Sequence, residues 1–297
     1  MGAALRESVS GVLLIDKPVG PSSNAVLQRA KRLLGATRAG HTGTLDPLAG
    51  GLLVIGLGEA TKFAGALLDA DKAYRARVKL GERTATGDAE GAVLARSEVR
   101  VTREELLAVL DCFRGEIEQL PPLYAAIKHR GRPLYAYARS SERVPLAPRR
   151  IAIRLLELKE FEGDSVVLFV ECSKGTYIRA LAEDIGAALG CGAHLAALER
   201  TAVGPFRLGQ SITLDALEAL PLAERRDRLL APEALLGSRP RLTLEAQVAA
   251  KFRHGQAVPV GSASGSVAVF GEDGTFLGTG EVDASGTLQP KRLLAPR

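Results

Sequence analysis

Residues 40–53 read GHTGTLDPLAGGLL and place one carboxylate, that of Asp46, in a loop rich in Gly and Thr. Pro47 removes a backbone donor and restricts Asp46 to extended conformations. The apolar run that follows, residues 52–57, predicts a buried strand. A loop anchored on a strand in this way can hold an acid at the floor of a cleft. The residues alone favour an ordinary turn, in which Asp46 only accepts hydrogen bonds from backbone amides, because Asp-Pro and Gly-Gly are common in turns.

The composition is that of a soluble globular protein. The chain has 297 residues, enough for one large or two modest domains with their own cores. Its net charge of +5 is compatible with a polyanionic partner but does not require one. The three cysteines are far apart and form no CxxC pair, and the four histidines lack metal-ligand spacing. The sequence therefore predicts neither a disulfide framework nor a zinc site.

The sequence shows no targeting or membrane-spanning segment. Residues 1–18 lack the basic region and long apolar stretch of a signal peptide. Arg6 argues against a myristoylation pattern. No stretch reaches the roughly 18 uninterrupted apolar residues of a membrane span. We therefore expect a cytoplasmic protein with no membrane partner.

Several segments accompany the Asp46 loop in a fixed order along the chain. They are KPVGPSS (17–23), GEATK (58–62), KAYR (72–75), TATGD (84–88), CSKGTYIR (172–179) and GCGAHL (190–195). Together with GHTGTLDPLAGGLL they resemble the TruB-type tRNA pseudouridine synthases, which isomerise the T-loop uridine of tRNA. The resemblance spans most of the first 210 residues. It implies an α+β catalytic domain around a mixed, largely antiparallel sheet, with the cleft across its face, and a small β-rich PUA-like C-terminal domain.

The two expected domains meet at a polar stretch that contains Gly237 and Pro240. We expect the pseudouridine synthase catalytic domain over residues 1–238 and the PUA-like RNA-binding domain over residues 239–297. In the second domain, the pattern predicts a helix that starts at Thr243, a hairpin within residues 267–280 and a further one ending near residue 288. The PUA-like assignment itself depends mainly on the position that this segment has in the family.

The resemblance implies that Asp46 is the nucleophile and that Arg179 forms a salt bridge with it. A carboxylate removed from water drifts toward the neutral acid, which is a poor nucleophile, and an adjacent guanidinium stabilises the charged form. Tyr177 lies two residues earlier and is expected to bond near the ribose or the carboxylate. From the residues alone, Arg179 is simply a surface residue on the first turn of a helix.

Residues 72–81 alternate between apolar and charged side chains, which predicts a half-buried strand with Tyr74 on its apolar face. The resemblance gives Tyr74 a second role, stacking on the target uracil, with Leu198 packing on the other side of the base. Stacking on an aromatic ring is worth about 1–3 kcal/mol per base. Tyr74 is also the candidate base that removes the proton from carbon 5. Without the resemblance, both residues are simply core residues.

Two further residues receive roles through the resemblance. His41 is the candidate for the residue that occupies the space left in the T loop when the uridine leaves its stack; its simpler role is a loop hydrogen bond. Lys62 is expected near the reacting nucleotide, where an ammonium can meet a phosphate or a carboxylate. Its simpler interpretation is a surface lysine.

Residues 128–154 carry eight Lys and Arg residues against one acid, Glu142, with tyrosines interleaved. By composition, a solvated basic loop and an RNA contact are equal candidates. The position resembles the family's thumb-like insertion, here about residues 124–152, which clamps the T arm of tRNA. This favours RNA contact, with Arg130 and Arg132 among the contacting residues.

No cofactor is expected, since the sequence has neither GxxxxGK[ST] nor a GxGxxG after a strand. A glycosidase would need two carboxylates, and the resemblance supplies only Asp46. Whether Asp46 attacks the uracil ring or ribose carbon 1′ stays open. The alternatives are a non-catalytic RNA-binding or RNA-folding protein and a guide-RNA-dependent relative of the same superfamily. The short N-terminal region and the thumb-like insertion favour the stand-alone enzyme, expected to be a monomer without an obligatory protein partner.

Overall fold

The computed structural model describes residues 9–122, 128–129, 132–133, 137, 146–261 and 264–295. Up to the thumb region, the strands are β1 (Gly11–Lys17), β2 (Ala39–His41), β3 (Ala49–Leu57), β4 (Lys72–Leu80), β5 (Glu82–Thr84), β6 (Val93–Arg96) and β7 (Gly115–Gln119). The middle of the chain adds β8 (Lys128–His129), β9 (Arg132–Pro133), β10 (Arg149–Glu162), β11 (Ser165–Cys172), β12 (Ala193–Val203), β13 (Phe206–Arg207) and β14 (Ile212–Thr213). The last strands are β15 (Arg241–Leu244), β16 (Val258–Pro259), β17 (Gly265–Gly271), β18 (Phe276–Val282) and β19 (Thr287–Leu293).

The described α-helices are α1 (Ser23–Leu34), α2 (Gly65–Leu68), α3 (Arg103–Cys112), α4 (Ile178–Ala188), α5 (Leu214–Ala219), α6 (Leu222–Asp227) and α7 (Ala246–Arg253). Helix α1 begins where the Ser22 side chain accepts a hydrogen bond from the backbone of Ala25, and it ends at Gly35 with a φ of 66°. A positive φ of this kind suits glycine, which has no Cβ to clash. Within the described ranges, no helix combines the length and the apolar character needed to cross a lipid bilayer.

The central sheet has ten strands in the order β14-β1-β3-β12-β4-β11-β10-β7, with β2 paired to β3 and β13 paired to β12. Strands β14 and β1 are parallel, as are β3 and β12, and the other pairings are antiparallel. The predicted α+β class with a mixed, largely antiparallel sheet is therefore confirmed. Because β12 lies between β3 and β4, it touches both the strand that follows the Asp46 loop and the strand that carries Tyr74.

Both faces of the sheet are covered around β1 and β3. Successive side chains of a strand point to opposite faces, and β3 is buried at every position. Leu53 and Ile55 pack with Val26 and Leu27 of α1. The alternate residues of β3 pack on the other face, in a cluster that includes Phe63 and residues of the C-terminal sheet.

The C-terminal unit is a five-stranded sheet in the order β15-β17-β18-β19-β16, accompanied by α7. The predicted hairpin corresponds to β17 and β18, and β18 pairs in turn with β19. The prediction that a helix starts at Thr243 is wrong. Thr243 lies in β15, where it is opposite Phe270 of β17, and the helix begins at Ala246. Pairing with a distant strand decides the structure of this short segment, which its local pattern could not show.

Candidate active site

The loop that carries Asp46 is braced through its backbone. The Ser23 hydroxyl donates to the carbonyl of Leu45 at 2.7 Å and accepts from the Leu45 amide at 2.8 Å. The Gly20 amide donates to the carbonyl of Pro47 at 2.8 Å. The carbonyl of Asp46 itself accepts from Ala49 at 3.0 Å and closes a tight turn. These bonds fix the path of the chain on both sides of the carboxylate.

Lys17 completes this support from the end of β1. Its side chain is only 1% exposed, and its Nζ donates to the carbonyls of Ala49 at 2.7 Å and Pro18 at 2.9 Å. Burial lowers the pKa of Lys17, while the negative charge of Asp46 opposes that shift. Lys17, like Gly20 and Ser23, belongs to the segment KPVGPSS. In this chain, the segment therefore braces the loop that holds the acid.

Arg179 on the first turn of α4 forms an ion pair with Asp46. Its Nη2 lies 3.0 Å from Oδ2 of Asp46. The two side chains differ in exposure, since that of Arg179 is 6% exposed and that of Asp46 is 43% exposed. The guanidinium is thus fixed in the interior, while the carboxylate stays accessible to a substrate. The structure brings together the two residues that the resemblance paired.

The same guanidinium contacts a second carboxylate, that of Asp88. Its Nε lies 3.6 Å from Oδ2 of Asp88, and its Nη1 donates to the carbonyl of Thr86 at 3.1 Å. Asp88 also accepts hydrogen bonds from the Thr86 hydroxyl and the Glu90 amide. Its side chain is 4% exposed, so it cannot flank a substrate bond as the second acid of a glycosidase must. Asp88 is the last residue of the motif TATGD, whose sequence alone indicates no role for it.

Tyr74 and Leu198 lie in one apolar cluster beside the Asp46 loop, together with Leu45. Tyr74 is 8% exposed, and Leu198 is partly buried on β12, opposite Ala76 of β4. Burial raises the pKa of the Tyr74 hydroxyl, and the positive charge of Arg200 opposes that shift. The hydroxyl is therefore protonated at neutral pH, which is the state in which the ring is least costly to bury.

Tyr177 stands directly before α4, at its N-terminal end. Its amide donates to Oε1 of Gln119 at 2.8 Å, and its carbonyl accepts from Nε2 of the same side chain at 3.1 Å. Burial raises the pKa of the Tyr177 hydroxyl, and the charges of Arg149 and Arg179 lower it again. The start of α4 is thus clamped to the end of β7, which fixes Arg179 and Tyr177 together.

His41 ends β2, at the entrance to the Asp46 loop. Its ring is half-buried, and among the described residues its Nδ1 has no hydrogen-bond partner. Burial lowers the pKa of His41, and the charge of Arg200 lowers it further. A buried ring nitrogen without a partner is uncommon in native proteins.

The structure does not bring Lys62 to Asp46. Lys62 follows the far end of β3, whose nine residues span about 30 Å at the usual rise of a strand. Its Nζ forms an ion pair with Glu59 at 2.5 Å and donates to the carbonyl of Leu293 in β19 at 3.0 Å. Glu59 in turn accepts from the Ala295 amide at 2.8 Å. Lys62 therefore links the turn after β3 to the C-terminal sheet.

The side chains of Arg130 and Arg132, in the thumb-like insertion, are not described by the structure and so cannot be located relative to Asp46. Arg130 lies outside the described residues. Arg132 lies on the short strand β9, which pairs with β8, and its side chain is not among those described. Their contact with RNA stays a prediction.

An acid held beside an arginine, across the face of a mixed sheet of this order, is the arrangement of a pseudouridylate synthase. Comparison with known families agrees with this class. Residues 31–178 match "TruB family pseudouridylate synthase (N terminal domain)". Residues 179–236 match "tRNA pseudouridylate synthase B C-terminal domain", and residues 240–294 match "Pseudouridine synthase II TruB, C-terminal". The chain belongs to the TruB family.

Individual relatives cover nearly the whole chain. The "tRNA pseudouridine synthase B" of Aromatoleum aromaticum is 55% identical over 293 residues, which are 98% of this chain and 94% of the relative. The protein of the same name from Azoarcus sp. is 55% identical over 292 residues, 98% of this chain and 96% of the relative. Among solved structures, a chain of the "Crystal Structure of a Cbf5-Nop10-Gar1 Complex" is similar with a TM-score of 0.76 and 29% identity. That match covers 97% of this chain and 85% of the other.

Proposed function

We propose that this chain isomerises the T-loop uridine of tRNA to pseudouridine, and that it does so without a guide RNA. The observation that carries the proposal is the accessible carboxylate of Asp46, held on a braced loop and paired with the buried guanidinium of Arg179. The names of the relatives from Aromatoleum and Azoarcus support tRNA as the substrate. The net charge of +5 suits a polyanionic substrate.

The reaction breaks the bond between N1 of uracil and ribose carbon 1′ and forms a new bond from carbon 5 to carbon 1′. The carbon 5 proton is released, and N1 regains one, so that the product is an isomer of the substrate. Asp46 attacks the nucleotide, either at the uracil ring or at carbon 1′, and leaves again when the new bond is complete. Arg179 orients the carboxylate and balances its charge. No oxidant, reductant or group donor enters this balance.

The uridine must leave its stack to reach Asp46, which costs a few kcal/mol. Tyr74 and Leu198, which share one apolar cluster beside the loop, enclose the extruded uracil and recover part of this cost. His41 fills the space vacated in the T loop. The Tyr74 oxygen is the candidate acceptor of the carbon 5 proton, as the phenolate that forms when the hydroxyl proton passes to water, and Tyr177 bonds near the ribose or the carboxylate.

The remaining contacts with RNA are proposed from charge. The basic segment, residues 128–154, would grip the phosphates of the T arm, with Arg130 and Arg132 among its contacts. Neutralising both arginines should weaken tRNA binding and reduce the slope of log Kd against log salt by about one for each phosphate that is no longer neutralised. An unaltered slope would argue against this contact. The C-terminal sheet, residues 239–297 in the proposed division, would supply the PUA-like RNA-binding domain.

The test is turnover by purified protein on an unmodified T-arm stem-loop, with no other protein or RNA present. Asp46→Asn keeps the shape of the side chain but removes the nucleophile. We expect it to lower the rate by about 10³-fold or more while stem-loop binding is retained. Asp215→Asn is the matched control, because Asp215 also pairs with an arginine, Arg29 at 2.8 Å, but on the surface. Retained turnover by Asp46→Asn would overturn the assignment.

The same assay separates the alternative functions. A non-catalytic RNA-binding protein would bind the stem-loop but give no pseudouridine, with or without Asp46. A guide-dependent enzyme, which the likeness to the Cbf5 complex makes worth testing, would give product only when a guide RNA and its partner proteins are added. Product formation by the isolated chain would support the stand-alone enzyme and neither of the two alternatives.

A further inference from the structure

Arg200 on β12 is a buried arginine that the functions described so far do not use. It is 2% exposed, and it is among the largest fully buried side chains. The described part of the chain offers its charge no carboxylate partner. A buried charge without an opposite charge is costly to the folded state unless hydrogen bonds satisfy it. The hydrogen bonds of Arg200 therefore indicate which part of the structure this buried charge stabilises.

The guanidinium connects the first part of the Asp46 loop to strand β3. Its Nη2 donates to the carbonyl of Gly43 at 3.1 Å, and its Nη1 donates to that of Thr44 at 3.4 Å. Its Nε donates to the carbonyl of Leu52, beyond the loop on β3, at 2.8 Å. The planar fork of an arginine can serve several acceptors at once, which a lysine ammonium cannot do in the same geometry.

Arg200 also lies beside Tyr74. The two residues are direct partners in the antiparallel pairing of β12 and β4, and directly opposite residues place their side chains on the same face of a sheet. The positive charge of Arg200 acts on the Tyr74 hydroxyl and opposes the rise in its pKa that burial causes.

We propose that Arg200 is a positioning residue of the reaction, which sets the Asp46 loop and the Tyr74 hydroxyl at a fixed separation on either side of the substrate uracil. This inference rests on the proposed function. One buried side chain links the nucleophile loop to the candidate proton acceptor because β12 lies between β3 and β4. The positive charge of Arg200 beside the tyrosine also favours the phenolate that forms when the hydroxyl proton passes to water, the state in which the oxygen can take the carbon 5 proton.

The backbone of Arg200 lies directly against β3. Gly51, its partner on β3, has a φ of +93°, and a Cβ there would lie 2.5 Å from the carbonyl oxygen of Arg200. Only a glycine therefore fits opposite Arg200, where β12 pairs with β3.

The proposal is tested by single-turnover kinetics on an unmodified T-arm stem-loop across a range of pH. Arg200→Met keeps the length and apolar body of the side chain but removes every donor. We expect the rate constant to fall about 10²-fold, as for other small displacements of reacting groups, with the Kd of the stem-loop changed far less. Arg207→Met is the matched control, because Arg207 also donates to backbone carbonyls, those of Gly204 and Phe206, but on the surface.

Two readouts distinguish positioning from support of the fold. The charged or titratable groups that act on Tyr74 are Arg200 on β12, Cys172 on β11 and Asp46 in the loop. Because the charge of Arg200 opposes the effect of burial, Arg200→Met should move any rate increase linked to Tyr74 ionisation to higher pH. In addition, the effects of Arg200→Met and Tyr74→Phe should combine to less than their product, since each breaks the same contact.

Thermal unfolding checks that each variant is folded at the assay temperature. If Arg200→Met does not fold, the comparison is made on Arg200→Lys, which keeps the charge but cannot serve the three carbonyls in one plane. Rate losses no larger than that of Arg207→Met would overturn the proposal. So would losses that multiply fully with Tyr74→Phe and leave the pH profile in place. A wild-type chain that gives no product would instead refute the proposed function.

Discussion

The guanidinium of Arg179 and the carboxylate of Asp88 face each other in the interior, with 3.6 Å between Nε and Oδ2. The same guanidinium also faces Asp46, through its Nη2. Because Asp88 is itself held by Thr86 and Glu90, its contact with Nε fixes the plane of the guanidinium whose Nη2 faces Asp46. The orientation of the Asp46 carboxylate therefore depends on Asp88, whose side chain is only 4% exposed.

Asp88→Asn should slow the reaction without abolishing binding. The amide keeps the size of the side chain and an oxygen for the Glu90 amide, but it removes the charge that faces Arg179. We expect the single-turnover rate to fall about 10²-fold, since small displacements of reacting groups have effects of this size. Asp164→Asn serves as the control, because Asp164 pairs with Lys79 at the surface. Equal rates for the two variants would show that Asp88 only supports the fold.

Tyr74→Phe and Tyr74→Leu separate the two roles proposed for this residue. If the hydroxyl accepts the proton, Phe should lower the rate about 10²-fold or more, with binding retained. Leu should in addition weaken binding of the stem-loop, since stacking worth about 1–3 kcal/mol is lost. The measurement is the single-turnover rate and the stem-loop Kd of each variant. Unfolding curves verify that the core of each variant is intact. Wild-type rates in Tyr74→Phe would leave stacking as the only role.

Lys62→Met should affect stability but not catalysis. Lys62 contacts Glu59 and the carbonyl of Leu293, at the junction with the C-terminal sheet. Loss of these partly exposed contacts should lower the free energy of unfolding by about 1 kcal/mol. Urea unfolding and the single-turnover rate test this together. A slower reaction with unchanged stability would instead support the role near the reacting nucleotide that the family resemblance implies for Lys62.

His41 should make stability depend on pH in the acidic range. Because burial and Arg200 lower its pKa, the folded protein keeps His41 neutral where an unfolded histidine, with a pKa near 6.5, already binds a proton. Its contribution is therefore complete above about pH 6.5 and is lost as the pH falls through the folded pKa. His41→Gln should flatten the dependence of Tm on pH between about 5 and 7. The exposed His254→Gln is the control; equal slopes in all three proteins would contradict the shift.

Local sequence patterns correctly predicted those elements whose structure depends mainly on residues within or next to the element. The alternating strand 72–81 and the buried strand after the Asp46 loop both have their predicted form. The capping box of Thr102 and Glu105 and the end of helix α1 at Gly35 depend on equally local signals. In each case the signal lies within a few residues of the element, where propensity and capping act. The motifs also named Asp46 and Arg179, which the structure brings together.

The supporting residues could not be found in this way because their partners are far along the chain. Arg200 stands two residues after Leu198 on the same strand, where the alternation calls for an apolar residue. That departure was a signal, but it could not identify the loop carbonyls that Arg200 contacts. The order β3-β12-β4 decides those contacts, and apolar patterns do not encode strand order. The contacts of Lys62 with Glu59 and Leu293 could not be predicted for the same reason, since its motif gave chemistry but no distance from Asp46.

The aromatic contact between the two sheets has a consequence for how this protein can be divided. Phe63 packs edge-on against Phe276, with 5.1 Å between the ring centroids, and Phe276 lies beside Phe270. A shortened chain that stops before Arg241 would expose the apolar side of β1 and β3 to water. Such a fragment would be prone to self-association even though it retains Asp46 and Arg179. The two sheets thus depend on each other for solubility, since each leaves apolar side chains exposed to water when the other is absent.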